Sequence, residues 1–176
     1  MRPSFPFITL ILVGLAALFT WLGAGHPAAA NVTRSVFPVN IALSVTPLGP
    51  WSPDQGGILK AQITSRLGTL RHLEISFAAS PDLTVHPLTS QVAELAEGAS
   101  ENIPLRVARG PGLPDEMGSW VRMRVQYLPD YERIAQAVRA PASYPNPAER
   151  QRLLAIVERN AHRAERYTAA CRFFAR

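Results

Sequence analysis

Between Val39 and Tyr127 the chain alternates. Val39, Ile41, Leu43 and Val45 stand two apart between polar or small neighbours, the period of a strand with one buried face. Pro47, Gly49, Pro50, Pro53, Asp54, Gly56 and Gly57 then break the run. A second strand is expected in ILKAQITSR, with Leu59, Ala61 and Ile63 in phase, and a third in RHLEISF, with Leu73, Ile75 and Phe77 in phase. The Gly68-Thr69 turn between them reads as the tip of a hairpin. Shorter strands follow at LTVHP and QVAEL. Pro87 cannot donate to a ladder and fits only an edge or a strand end. ENIPLRVAR alternates through Ile103, Leu105 and Val107, and Pro104 places it too at an edge or a bulge. After the loop GPGLPDEMGS comes the clearest strand, WVRMRVQYL, with Val121, Met123, Val125 and Tyr127 inward and Arg122, Arg124 and Gln126 outward. Strands at this spacing, separated by turn signals, predict an antiparallel sandwich.

Beyond Leu128 the period lengthens. ERIAQAVR puts Ile134 and Val138 four apart, so a short helix is predicted over 131–139, and APASYPNP stops it. Asn146-Pro147 then starts a second helix. Asn can cap it, Pro is favoured at its first position, and Glu149 lies in the first turn where the macrodipole favours an anion. Leu153, Val157, Ala161, Ala164, Thr168 and Cys171 recur at spacings of four and three, and Leu154, Ile156 and Phe174 widen the stripe. Residues 147–176 are therefore expected to form one amphipathic helix, about 45 Å long at 1.5 Å per residue. Arg152, Arg159, Arg163 and Arg166 lie opposite the stripe, partly offset by Glu158 and Glu165.

The segments GGILKAQITSRLGTLRHLEISFAASPDLTV, EGASENIPLRV and GSWVRMRVQYL, in that order, resemble the bacterial immunoglobulin-like modules of secreted and cell-surface proteins. The resemblance covers about residues 38–129 and is one of layout. It implies a scaffold that binds or spaces, with no chemistry of its own. The cysteine pair of antibody-type domains is absent, since Cys171 is the only cysteine, so no inter-sheet disulfide is carried over.

The first thirty residues change where the chain is expected to work. Arg2, an apolar run from Phe7 to Leu22, and Ala28 and Ala30 in an A-x-A arrangement form a secretory signal layout, with Asn31 first in the mature chain. A span needs about 20 apolar residues, so 7–22 are short for one. Left uncleaved, that segment would tether the chain to the inner membrane. Arginine supplies 17 of the 18 basic residues, a bias that fits a GC-rich bacterial genome and a periplasmic or extracellular product. The expected organisation is a signal peptide 1–30, a linker 31–37, a sandwich 38–130, a short helix with a proline-rich linker 131–146, and the arginine-rich helix 147–176.

Charge is unevenly placed. Residues 31–146 hold ten basic and ten acidic side chains, whereas 147–176 hold seven and three, net +4. The neutral β-rich part lacks the basic face that nucleic-acid binding needs, so that function is excluded. The terminal helix is read as covering its own sandwich or docking on a partner protein. An interfacial membrane helix, with Phe173 and Phe174 at one end, is a further alternative, weakened by its alanine-rich stripe and its glutamates.

No residues form a recognisable catalytic constellation, and no enzyme activity or cofactor is expected. His72, His86 and His162 fall in three elements without paired spacing, so a zinc site needs tertiary convergence. Met117 and Met123 offer soft ligands for cuprous ion, but Met123 is in the inward phase of its strand. Asp115-Glu116 falls short of the six to eight oxygens calcium takes. Cys171, on the apolar stripe, reads as a buried small hydrophobe. The sequence thus points to a non-catalytic accessory or assembly subunit of the periplasm or envelope. Its partner-binding residues are expected to be Trp120, Arg152, Arg159, Arg163, Arg166 and Phe174. The alternative is a periplasmic copper or zinc protein using His72, His86 or Met117.

Overall fold

A computed structural model describes residues 40–52, 54–140, 142 and 145–174. The expected signal peptide 1–30 and linker 31–37 lie outside the described residues. Each of the seven expected strands is present: β1 Ile41–Pro47, β2 Gly57–Ser65, β3 Leu70–Ala79, β4 Leu83–His86, β5 Thr89–Leu95, β6 Ser100–Arg109 and β7 Trp120–Leu128. Two helices follow, α1 Tyr131–Arg139 and α2 Pro147–His162, and an eighth strand, β8 Tyr167–Phe174, ends the described chain.

The strands form two antiparallel sheets of four, ordered β1-β2-β6-β4 and β5-β3-β7-β8. Their inward residues meet in one core, where Leu59, Ile63, Leu73, Ile75, Leu105, Val121, Met123 and Val125 are almost inaccessible. Burying a side chain of this size contributes roughly 1.5–3 kcal/mol, so the alternating positions supply the main driving force for folding. Pro104 lies on the length of β6 that has a neighbour only on the β2 side, because β4 pairs β6 only from Arg106 to Arg109. The missing amide is tolerated there, as its sequence context predicted.

The expected hairpin of β2 and β3 does not form. β2 pairs with β1 and β6, and β3 pairs with β5 and β7 in the opposite sheet. Both strands bury one alternate face against the same core from opposite sides, and alternation alone cannot distinguish that from pairing. The turn itself carries the chain across. Arg66 donates its amide to Asn40 O at 2.8 Å and Ser65 Oγ donates to Gly68 O at 2.5 Å. Gly68 has φ +71, and a Cβ there would sit 2.7 Å from Asp130 Cβ and 3.0 Å from Arg133 Cβ, so α1 packs directly on the turn.

The expected helix over 147–176 is also corrected. α2 begins where expected, with Asn146 Oδ1 accepting the amides of Ala148 at 3.0 Å and Glu149 at 3.4 Å. It ends at His162. Ala164 adopts φ +47, its amide bonds Ala161 O, and the Glu165 amide bonds Asn160 O, both at 3.0 Å. This is the Schellman arrangement, normally closed by glycine. Tyr167, Ala169, Cys171 and Phe173 then continue in period two, with Cys171 and Phe173 buried against Met123 and Val121 of β7. What looked like the end of a helical stripe is the last strand of the second sheet. Burial there pushes the Cys171 thiol up to about 12.

α1 and α2 pack on each other around Ile134, Ala135, Val138 and Val157, with Leu67, Tyr131, Leu153 and Leu154 at the margin. Asp130 caps α1 through Arg133 N at 2.9 Å. The hairpin closes one end of the sandwich, tied to the β5–β6 turn by Arg133 and Glu97, whose oxygens accept at 3.0 and 3.2 Å.

Candidate functional site

β7 and β8 pair from Trp120↔Phe174 to Tyr127↔Tyr167. Because inward Val121, Met123, Val125 and Tyr127 oppose Phe173, Cys171, Ala169 and Tyr167, the four alternate pairs face outward: Trp120 with Phe174, Arg122 with Arg172, Arg124 with Ala170, and Gln126 with Thr168. β3 extends the face with Ala78 beside Arg122, Ser76 beside Arg124 and Glu74 beside Gln126.

Trp120 is held at its backbone and at its ring. Its amide donates to Ser80 Oγ at 2.9 Å, and its carbonyl accepts the Ser80 amide at 2.9 Å. Its indole Nε1 donates to Asp115 Oδ2. The Arg172 guanidinium lies 4.7 Å from the Trp120 ring centre and 5.7 Å from that of Phe174, and Arg122 lies 5.7 Å from Trp120 on the same face. Such stacking contributes roughly 0.5–1 kcal/mol at an exposed site. Arg172 also donates to Met117 Sδ at 3.2 Å.

The loop that brings Asp115 and Met117 here is anchored from below. Gly110 N donates to Asp82 O at 2.6 Å, Gly112 N to Pro81 O at 3.1 Å, and Ser119 Oγ to Asp82 Oδ2. A Cβ on Gly112 would lie 2.6 Å from Pro81, so only glycine permits this contact. Burial opposes the charge of Asp82, but the hydrogen bonds from Ser119 and Ser80, with the field of Arg109, hold its carboxyl below the usual range. The loop leaves Leu113 and Met117 exposed, at 83% and 55%. Met117, in contact with Arg172, thus puts an apolar side chain at the border of the arginine–tryptophan stack.

Toward β5 the face dips into a shallow depression of ≈ 300 Å³, lined by Glu74, Ser76, Thr89, Gln91, Arg124 and Gln126. Small side chains beside Arg124 make it. Glu74 is already engaged, accepting from Arg166 Nη1 at 2.8 Å, while Arg166 Nη2 donates to His72 O at 2.5 Å. Among the described residues, no salt-bridge partner reaches Arg122, Arg124 or Arg172.

The structure brings two of the six expected site residues together. Trp120 and Phe174 are direct register partners. Arg166 precedes the far end of β8, about 24 Å away at 3.4 Å per residue, and its guanidinium secures the bulge at His72. Arg152 and Arg159 are exposed on α2, and Arg163 caps its end. Arg122, Arg124 and Arg172, not chosen from sequence, make up the rest of the face. Arg122 and Arg124 were legible as outward residues of β7; Arg172 was hidden by reading β8 as helix.

The candidate metal ligands do not converge. His72 is on β3, His86 on β4 in the opposite sheet, and Met117 in the loop against Arg172. Among the described residues, no three His, Cys, Asp or Glu lie together as a metal site, and no helix is long and apolar enough to cross a membrane.

No family model and no curated protein matches the chain. A solved structure, that of WR4, a C. elegans MSP family member, aligns over 76% of this chain and 97% of its own. Its identity is 16% and its TM-score 0.35, too low to carry an argument about fold or function.

Proposed function

We propose that the chain is an exported, non-catalytic accessory or assembly subunit of the bacterial envelope, an immunoglobulin-like sandwich that binds a partner protein through the outer face of β7 and β8. The observation that carries this reading is the paired Trp120 and Phe174 under the Arg172 guanidinium, beside exposed Met117. Tryptophan, arginine and methionine are the residues enriched where proteins recognise one another, and tryptophan and arginine dominate the energies measured there. The signal layout of residues 1–30 supports export.

The immunoglobulin-like assignment draws support from strand order. β1-β2-β6-β4 follows the A-B-E-D order of such domains and β3-β7-β8 follows C-F-G, with β5 added beside β3. The helical hairpin then occupies the connection between the last two strands.

The test is affinity capture from envelope extracts, with tagged full-length chain as bait and Trp120→Ala as control. Deleting 147–176 is unsuitable, because it removes β8. A partner retained by the wild type and lost with the variant supports the reading. A chain that stays monomeric and uncross-linked in its native extract overturns it. Amino-terminal sequencing of the mature chain tests export, with Asn31 as the expected first residue.

A further inference from the structure

Arg122 and Arg172 face each other directly across β7 and β8. Like charges in opposed register destabilise a sheet, and stacking on Trp120 only partly offsets this. Two residues along, Arg124 adds a third guanidinium on the same face, above the depression. Of the nearby acids, Glu74 is paired with Arg166, while Asp115, hydrogen-bonded to the neutral Trp120 indole, keeps its charge at the tryptophan end of the face and leaves Arg124 without an acid of its own. Glu116 is exposed in the loop beside Met117. The three guanidiniums therefore outnumber the free carboxylates beside them, and the face keeps a net positive charge, centred on Arg124, that an anionic occupant would relieve.

Its dimensions suit an extended chain. Arg122 and Arg124 are separated by two residues, about 7 Å, which is the spacing of alternate side chains in an extended peptide. From Trp120 to Gln126 the face runs about 20 Å, room for roughly six such residues. Ala78, Ala170 and Ser76 keep its floor low. At one end Trp120, Phe174 and Met117 offer an apolar seat, and at the other Gln91 and Gln126 offer amides.

We infer that this face docks an acidic, extended segment of the partner protein, with Arg122, Arg124 and Arg172 receiving its carboxylates and Trp120 with Phe174 seating an apolar side chain. The inference rests on the partner-binding reading above and adds the chemistry of the partner.

The test is calorimetric titration of the full chain with a glutamate hexapeptide ending in leucine, against the matched glutamine peptide and a DNA oligonucleotide. Binding of the glutamate peptide alone is expected. It should weaken several-fold when salt rises from about 20 to about 200 mM, where screening shortens the reach of exposed charges. Arg124→Gln and Arg122→Gln should each weaken it about threefold to tenfold, with unchanged circular dichroism. A triple Arg152→Gln, Arg159→Gln, Arg163→Gln chain removes three charges from α2 and its C-cap, more than either single variant, and should bind normally. Equal binding of the glutamine peptide or of DNA, equal loss in the α2 triple variant, or no binding at low salt would each overturn the inference. Failure is separable from that of the broader reading. A partner captured through Trp120 but insensitive to salt and to Arg124→Gln refutes the acidic segment and leaves partner binding standing. Glutamate-peptide binding without any captured partner does the reverse.

Discussion

Tyr127 donates its hydroxyl proton to Asn40 Oδ1 at 2.7 Å, joining β7 to the residue just before β1 across 87 positions of sequence. Both side chains are buried, and Asn40 O also accepts the Arg66 amide at the sheet crossover. Tyr127→Phe leaves the buried amide oxygen without its donor, an expected loss of about 1–3 kcal/mol by urea denaturation. Asn40→Ala should cost a similar amount, and the double variant less than the sum.

Alkaline pH probes the same cluster. Burial pushes the Tyr127 phenol up to about 12 and likewise raises Tyr131 and Tyr167; the Tyr167 ring centre lies 6.5 Å from that of Tyr127 and 6.3 Å from that of Tyr131. Unfolded tyrosine titrates near 10. The unfolded chain therefore loses these protons first, so the stability from keeping the phenols neutral is complete below pH 10 and lost between about 10 and 12. Chemical denaturation at stepped pH checks the window, and Tyr127→Phe should shrink its slope.

At acid pH the sign reverses. Arg133, hydrogen-bonded to Glu97 on both oxygens, holds that carboxyl below its ordinary value, and Asp82 is lowered as well. Their contribution is present above the ordinary carboxylate range and is lost as pH falls from that range through their lowered folded values. Asp82→Asn with Glu97→Gln should flatten the acid limb of the stability curve. An unchanged limb would show that other carboxylates set it.

Ala164 is a non-glycine residue at φ +47 in the turn that ends α2. Left-handed backbone costs an L-residue roughly 1–2 kcal/mol, so Ala164→Gly is expected to stabilise the protein by about 1 kcal/mol. Ala164→Val should destabilise it, and thermal melts of the three chains give the order.

The Cys171 thiol, pushed up to about 12 by burial, is expected to resist a thiol reagent at pH 8 in the native chain and react at once in denaturant. Labelling at equal rates in both states would place Cys171 outside the core.

Alternation between Ile41 and Tyr127 determined strands β1 to β7, and with them most of the residues that fill the core, because a half-buried strand must place its apolar side chains two apart. The Asn146-Pro147 start of α2 was equally local, since a cap needs only its own side chain and the next amides. Which strands pair depended on the tertiary structure: β2 and β3 present the same alternation whether they form a hairpin or face each other across a core. The end of α2 was likewise decided from outside, because no glycine or proline marks Ala164. Tyr167 to Phe174 fits a spacing of three and four as well as a spacing of two, until the open edge of β7 selects the strand. That selection also made the site. Phe174 and Arg172 came beside Trp120 and Arg122 only when β8 took its register, so a face built from two strands whose register partners lie 40 to 54 residues apart was invisible to any pattern read along one.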